Sequence, residues 1–254
     1  MAAVDINCDL GEGFGVYQLG DDAQMMLSIS SANVACGYHA GDPLIMQRTV
    51  LLAKEHGVAV GAHPGFPDLA GFGRRNMILG TDEIYAHVLY QLGALAAFCR
   101  AAGVQLQHVK PHGQLNNMAF NDHDLAGAIV QAIYDFNPRL YVISYGGALT
   151  EEAARLGLGV AHEIYADRSY HPDGTLVSRG IPGSVIHDPD IVVDRVVTMV
   201  KRGAVVAQNG VWVPTPIDTI CVHGDTPGAP LLARRIRDRL TEIGIVVTAF
   251  GQPQ

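Results

Sequence analysis

Short β-branched runs alternate with helical stretches along the chain, and this alternation restricts the fold more than any other feature. The runs cover residues 4–8, 33–36, 58–62, 106–110, 140–144, 159–165 and 219–222, with an eighth candidate at 245–249. Strands joined through helices lie parallel, because each crossover returns the chain to the same end of the sheet. Glycine leads from several helices into the next strand, as in Glu55-His56-Gly57-Val58 and Ala101-Ala102-Gly103-Val104, where left-handed backbone ends a helix at little cost. Helix starts are marked by Asp42-Pro43 and Asp188-Pro189, an acidic cap before proline at the first helical position. Thr81-Asp82-Glu83 and Asn121-Asp122 open two more, with acidic charge at the positive end of the dipole.

No linker, low-complexity tract or sequence repeat divides the 254 residues. The expectation is therefore an α/β fold in one domain over residues 1–254, a (β/α) barrel closed by seven strands rather than an open sheet. Two stretches depart from the alternation. Residues 204–213 carry a hairpin signal around Asn209-Gly210. Residues 166–187 form a long polar excursion, and a loop of that length in a compact domain usually belongs to the active site.

Hydrophobic residues make up 48% of the chain and charged ones 17%, enough apolar surface for a large core. No apolar run is long enough to span a bilayer, and Met-Ala-Ala-Val-Asp lacks the basic and apolar segments of a secretory signal. The formal net charge is −8, and the one concentrated basic stretch is Arg234, Arg235, Arg237 and Arg239 on a late helix. That reads as a solvated helix face or a contact between subunits, and neither a nucleic acid nor a membrane is expected as a partner. Four cysteines, at 8, 36, 99 and 221, show no CxxC spacing. They read as small buried thiols, and with the missing signal they point to a cytoplasmic protein.

In a parallel barrel the working residues sit at the C-terminal ends of the strands. Reading those ends in order gives Asn7, Asp9 and Glu12, then His39, then His63, then Lys110 and His112 with Asn117 just beyond. The sixth strand gives Asp167 and Arg168, the loop after it Arg179, and the seventh His223 and Asp225. Four ends carry a histidine with glycine one or two places on, at 39 and 41, 63 and 65, 112 and 113, and 223 and 224. Their matching positions predict one shared pocket. Lys110 is one of only three lysines, and Lys54 and Lys201 fall late in helices. An ammonium ending an apolar strand is costly unless it is paired or used. Carboxylates, imidazoles and a lysine together suit acid–base work on a carbonyl.

Asp42 reads as a helix cap. His56, His87, His123, His162 and His187 read as structural, and His108, two residues below Lys110 on the same strand, stays undecided. The sequence contains no GxxxxGK[ST], HExxH or GxSxG, which removes the common phosphate cradle and two familiar hydrolase signatures. A divalent metal held by residues from separate strand ends stays open, because such ligands need no local spacing. No residue is assigned to one.

Six ordered segments, DINCDLGEGFG, SSANVACGYHAGDP, GAHPGFPDLAGFGRR, VKPHGQLNN, ADRSYHPDGTLVSR and CVHGDTP, together resemble the LamB/YcsF family. The resemblance implies a seven-stranded (β/α) barrel of the glycoside hydrolase/deacetylase kind. It also implies ATP-dependent opening of the lactam 5-oxo-L-proline to L-glutamate by a 5-oxoprolinase, in which this chain works with partner subunits B and C. With no phosphate loop here, the ATP site is expected to be completed by the partners, docked at the arginine helix or at the Asn209-Gly210 hairpin. His63 or His112, oriented by Asp9 or Asp225, would act as general base, and Lys110 would stabilise charge developing on oxygen. Arg168 and Arg179 would grip a carboxylate or phosphoryl group unless they staple the loop to Asp167 or Asp173. Lys110→Met is expected to reduce turnover and leave the fold intact. One local departure is Gln114-Leu115-Asn116-Asn117, where the family usually has Ala-Leu-Tyr-Asn. Two other readings of the same residues are a metal-dependent sugar deacetylase and a non-catalytic small-molecule-binding subunit.

Overall fold

A computed structural model describes residues 2–224 and 228–251. The chain runs β1 (Ala3–Leu10), α1 (Asp22–Met26), β2 (Ser31–Ala35), α2 (Pro43–His56), β3 (Ala59–His63) and α3 (Thr81–Ala102). It continues through β4 (Leu106–Val109), α4 (Gly113–Ala119), α5 (His123–Phe136), β5 (Tyr141–Ser144), α6 (Gly147–Arg155) and β6 (Gly159–Tyr165). The last part is α7 (Pro189–Arg202), β7 (Ala204–Val206), β8 (Trp212–Pro214), β9 (Thr219–Cys221), α8 (Ala229–Glu242) and β10 (Val246–Val247).

Seven parallel strands close the barrel in the order β1-β2-β3-β4-β5-β6-β9, with β9 pairing back onto β1. The closed seven-stranded barrel expected from the sequence is therefore the fold. The run at 245–249 is no stave of it, since β10 pairs only with the first residues of β1, Ala3 opposite Val246. β7 and β8 form a separate antiparallel pair. Among the described residues all four cysteines are buried free thiols, and no helix is long and apolar enough to cross a membrane.

Local sequence explains the helix ends. Asp42 and Asp188 each accept two backbone N–H bonds at the starts of α2 and α7, with proline next in line. Gly57 and Gly103 close α2 and α3 with φ of 67° and 69°. On α3 the buried Ile84, Val88, Leu92, Leu95 and Cys99 recur every three or four residues, one apolar stripe facing inward. The arginines of α8 do not make a free basic face. Arg235 pairs with Asp190, Arg239 with Glu242, Arg234 approaches Asp238, and Arg237 donates to the Ser28 carbonyl.

A continuous chain of polar side chains runs through the barrel interior. Strand alternation turns Asp5, Asn7 and Asp9 inward from β1, Asn33 from β2, His108 from β4 and Glu163 from β6. At the bottom Ser30 and Ser31 donate to Asp5 Oδ1 at 2.6 and 2.8 Å, and Thr219 donates to Asp5 Oδ2. One layer up, Asn7 Nδ2 donates to Thr219 Oγ1 at 2.7 Å and to Glu163 Oε1 at 3.0 Å. Asn33 Nδ2 then donates to Asn7 Oδ1 and Asp9 Oδ1, both at 2.8 Å, which carries the chain of bonds to the mouth. His108 settles here as a structural residue, fully buried with Nε2 2.8 Å from Asn33 Oδ1. Gly61 makes room for it, because a β-carbon at 61 would lie 2.0 Å from the imidazole.

Burial pushes the Asp5 carboxyl up from 3.8 to about 6. A folded-state pKa above the unfolded value gives stability that is full below about pH 4 and lost as pH rises through about 6. Asp5→Asn should therefore gain on the parent by about 3 kcal/mol between about pH 4 and pH 7. Urea unfolding at the two pH values measures this, and a pH-independent difference contradicts it.

Candidate active site at the mouth of the barrel

A cavity of about 720 Å³ opens at the C-terminal ends of the strands, lined by Asp9, His63, Lys110, His112, Asn117, Arg168, Arg179 and His223 among others. Strand ends far apart in sequence thus meet at one mouth. Pro111 helps place two of them, since it ends β4 and lets the chain turn so that His112 caps α4. Four predicted residues stand behind the wall. Asn7 is one layer below Asp9, Glu12 and His39 back the histidines, and Asp167 backs His223. Asp225 lies outside the described residues.

Lys110 is nearly sealed, with 2% of its surface exposed. Its Nζ lies 2.8 Å from Glu163 Oε1, 3.0 Å from Asp9 Oδ1, 3.2 Å from Cys221 Sγ and 3.3 Å from Asn7 Oδ1. An ammonium has three N–H donors, so four neighbours leave none idle. Burial opposes the charge, but Asp9 foremost among its neighbours outweighs it and holds the lysine well above its usual 10.5. Asp9 mirrors this. Burial pulls its carboxyl up, while His63 and Lys110 outweigh burial and hold it well below 3.8. Lys110 is thus first a buried counter-ion, and it can reach a ligand only by giving up one of its weaker contacts, Cys221 or Asn7.

The histidines fall into two groups. On one wall His63 Nδ1 is 2.7 Å from the Lys110 carbonyl, and His112 Nε2 is 2.8 Å from the Phe72 carbonyl. Their other nitrogens face each other at 2.9 Å. His39 stacks on His112 with ring centroids 3.6 Å apart, and its Nε2 is 3.1 Å from Glu12 Oε1. Burial holds both His39 and His112 well below the usual imidazole range, so both are neutral. Glu12, His39, His63 and His112 each present one ligand atom, all within 4.8 Å of one another. The sequence named all four as candidate catalytic residues and expected the three histidines in one pocket with His223, but it did not separate this cluster from His223.

Across the cavity His223 stands alone with Asp167, Nδ1 to Oδ1 at 2.7 Å. Its ring stacks on Tyr165, with centroids 5.6 Å apart. Burial raises the Asp167 carboxyl, but the adjacent His223 outweighs it and lowers the pKa below 3.8. A carboxylate on Nδ1 fixes the tautomer that leaves Nε2 as the basic nitrogen.

The two arginines differ. Arg168 is buried and donates to the carbonyls of Val177 and Ser184, so it staples the loop through backbone rather than through Asp167 or Asp173. Arg179 is exposed at the cavity rim. Asn116, where the family usually has tyrosine, lies 3.5 Å from the Tyr165 hydroxyl. Asn117 is exposed, its amide 3.4 Å from Gln114 Oε1.

Glu163 is the residue that sequence reading missed. It sits inside β6, on the same face as Tyr165, and a carboxylate in the middle of a largely apolar strand was a readable signal.

The model of the LamB/YcsF family matches residues 4–254. A protein of Thermococcus onnurineus, named as the A component of 5-oxoprolinase, is 56% identical over 250 residues, 98% of each chain. One of Alkaliphilus metalliredigens with the same name is 53% identical over 251 residues, again 98% of each. The crystal structure of a lactam utilization protein from Thermus thermophilus superposes with a TM-score of 0.93 at 47% identity, covering 98% of this chain and 100% of that one. The peptidoglycan deacetylase PdaC of Bacillus subtilis shares the barrel at a TM-score of 0.51 and 14% identity, covering 99% and 89%, a likeness of fold alone.

Proposed function

The chain belongs to the LamB/YcsF family, and from that premise we propose that it is the hydrolytic component of an ATP-dependent 5-oxoprolinase, opening 5-oxo-L-proline to L-glutamate with partner subunits B and C. The observation that carries this reading is the meeting in one cavity of a buried Asp9–Lys110–Glu163 charge cluster and a His223–Asp167 pair.

A lactam is a resonance-stabilised amide with a poor leaving group, so water alone attacks it slowly. With no phosphate loop in this chain, the partners are assigned the transfer of the ATP γ-phosphoryl group to the lactam oxygen, which gives a cyclic imidate. The cavity, far larger than a five-membered ring requires, has room for the added phosphoryl group. One water then adds to the carbonyl carbon, giving its proton to His223 Nε2. The ring C–N bond breaks as its nitrogen takes up a proton, and an acyl phosphate with a free amine results. A second water displaces phosphate and leaves the side-chain carboxylate of glutamate. His223 takes the role of general base because Asp167 steadies the imidazolium it becomes. His63 and His112, the bases expected from sequence, have their free nitrogens turned toward each other. Asp9, at the end of the strand beside that of His223, and Lys110 hold the charge next to it.

Arg179 is assigned the substrate carboxylate or the phosphoryl group. Arg179→Ala should lower kcat/KM about 10- to 100-fold, the worth of a charge-assisted pair, with little change in melting temperature because the side chain is exposed. Unchanged kinetics would remove it from the site. Reconstitution tests the whole reading. Glutamate should form only when this chain, subunits B and C, ATP and 5-oxo-L-proline are all present. Glutamate formed at the full rate without this chain would overturn it.

A further inference from the structure

The wall formed by Glu12, His39, His63 and His112 has a geometry that general acid–base work does not account for. A carbonyl oxygen only accepts, so the Lys110 carbonyl fixes the proton of His63 on Nδ1, and the Phe72 carbonyl fixes that of His112 on Nε2. What remains on each ring is a lone pair, at His63 Nε2 and His112 Nδ1. These two nitrogens lie 2.9 Å apart, on side chains 1% and 5% exposed. Glu12 Oε1 is 3.4 Å from His112 Nδ1 and 4.0 Å from His63 Nε2, and Asp9 Oδ2 is 3.3 Å from His63 Nε2. Two imidazole lone pairs and two carboxylates converge on one point with little water to separate them. A cation suits that point, since one proton shared by the two nitrogens would still leave carboxylate oxygens 3.3 and 3.4 Å from them.

We infer that His63 Nε2, His112 Nδ1 and Glu12 form a site for a divalent transition metal, with Asp9 at its edge and the cavity side left for an exogenous ligand. The donor set of two imidazoles and a carboxylate suits zinc and cobalt. Bonds of about 2.0–2.1 Å in a tetrahedron give ligand–ligand edges of about 3.3 Å, and the three separations of 2.9, 3.4 and 4.0 Å bracket that value. Both histidines already have what a ligating imidazole needs behind it, an acceptor on its other nitrogen that fixes tautomer and ring orientation. His39 does not. Its buried Nδ1 has no hydrogen-bond partner among the described residues, and its Nε2 is turned to Glu12 Oε1. It is therefore the residue that positions Glu12, outside the ligand set. The inference stands apart from the lactam reading, since it uses no substrate and no partner.

The test is a titration of the full chain after dialysis against a chelator, with zinc chloride followed by calorimetry and cobalt(II) chloride by visible absorption. About one equivalent of each should bind, with the ligand-field bands of a low-coordinate cobalt ion. Glu12→Gln keeps the shape of the site and should abolish the bands, as should His112→Ala. His39→Ala should weaken binding about 10- to 100-fold while leaving the bands in place, the usual cost of losing a supporting contact. Circular dichroism of each variant separates loss of the site from loss of fold. Absence of stoichiometric binding by the parent chain overturns the inference, and so does binding unchanged by Glu12→Gln in a folded variant. Because occupancy is read without substrate, this failure would leave the lactam reading intact, and failure of the reconstitution would leave the metal site intact.

Discussion

Lys110→Met is expected to lose both turnover and stability, and the two losses can be separated. Removing the lysine leaves Asp9 and the fully buried Glu163 without their counter-ion. Breaking a buried pair in this way costs about 3–5 kcal/mol, which for a domain of this size lowers Tm by roughly 10 °C. The expectation from sequence that the variant would keep its fold intact assumed a lysine reaching toward substrate, and Glu163 changes that. Turnover of the reconstituted system should fall about a hundred- to a thousandfold, the effect of removing one preorganised donor from a reacting oxygen. The companion variant Lys110→Met/Glu163→Gln removes the fully buried one of the two orphaned charges as well. It should regain part of the lost stability and none of the turnover. If turnover returns together with Tm, the lysine serves the fold alone and has no part in the reaction.

His223→Gln should lower kcat about a thousandfold, within the range of a lost general base, and Asp167→Asn should follow it. The pair acts as a unit in this account, because Asp167 holds the tautomer and steadies the charge that His223 acquires. The double variant should therefore be no slower than His223→Gln alone. Effects that multiply would mean that the two residues act independently, and a His223→Gln enzyme with nearly normal kcat would return the base to the opposite wall.

Much of the fold was legible because parallel barrels are written in local rules. Alternating strand and helix runs, Asp-Pro at helix starts and glycine at helix ends gave the order of elements, and the positions at strand ends gave the mouth. Tertiary partners were less legible. Glu163 lies mid-strand, where a carboxylate looks like an interruption until Lys110 is placed against it across the barrel. The cluster of Glu12, His39, His63 and His112 has no local spacing, since its members come from the ends of different strands. His63 and His112 were read as bases because sequence does not show which ring nitrogen is tied to a carbonyl, and that contact depends on the exact turn at Phe72 and at Pro111. His108 could be settled only by its neighbours Asn33 and Gly61.

The most direct measurement is the position of 5-oxo-L-proline in crystals of this chain soaked with it. The account predicts the ring in the cavity between Lys110 and His223, with its lactam carbonyl toward the Asp9–Lys110 wall and its carboxylate toward Arg179. A ring bound at another surface, with this cavity left to solvent, would contradict it.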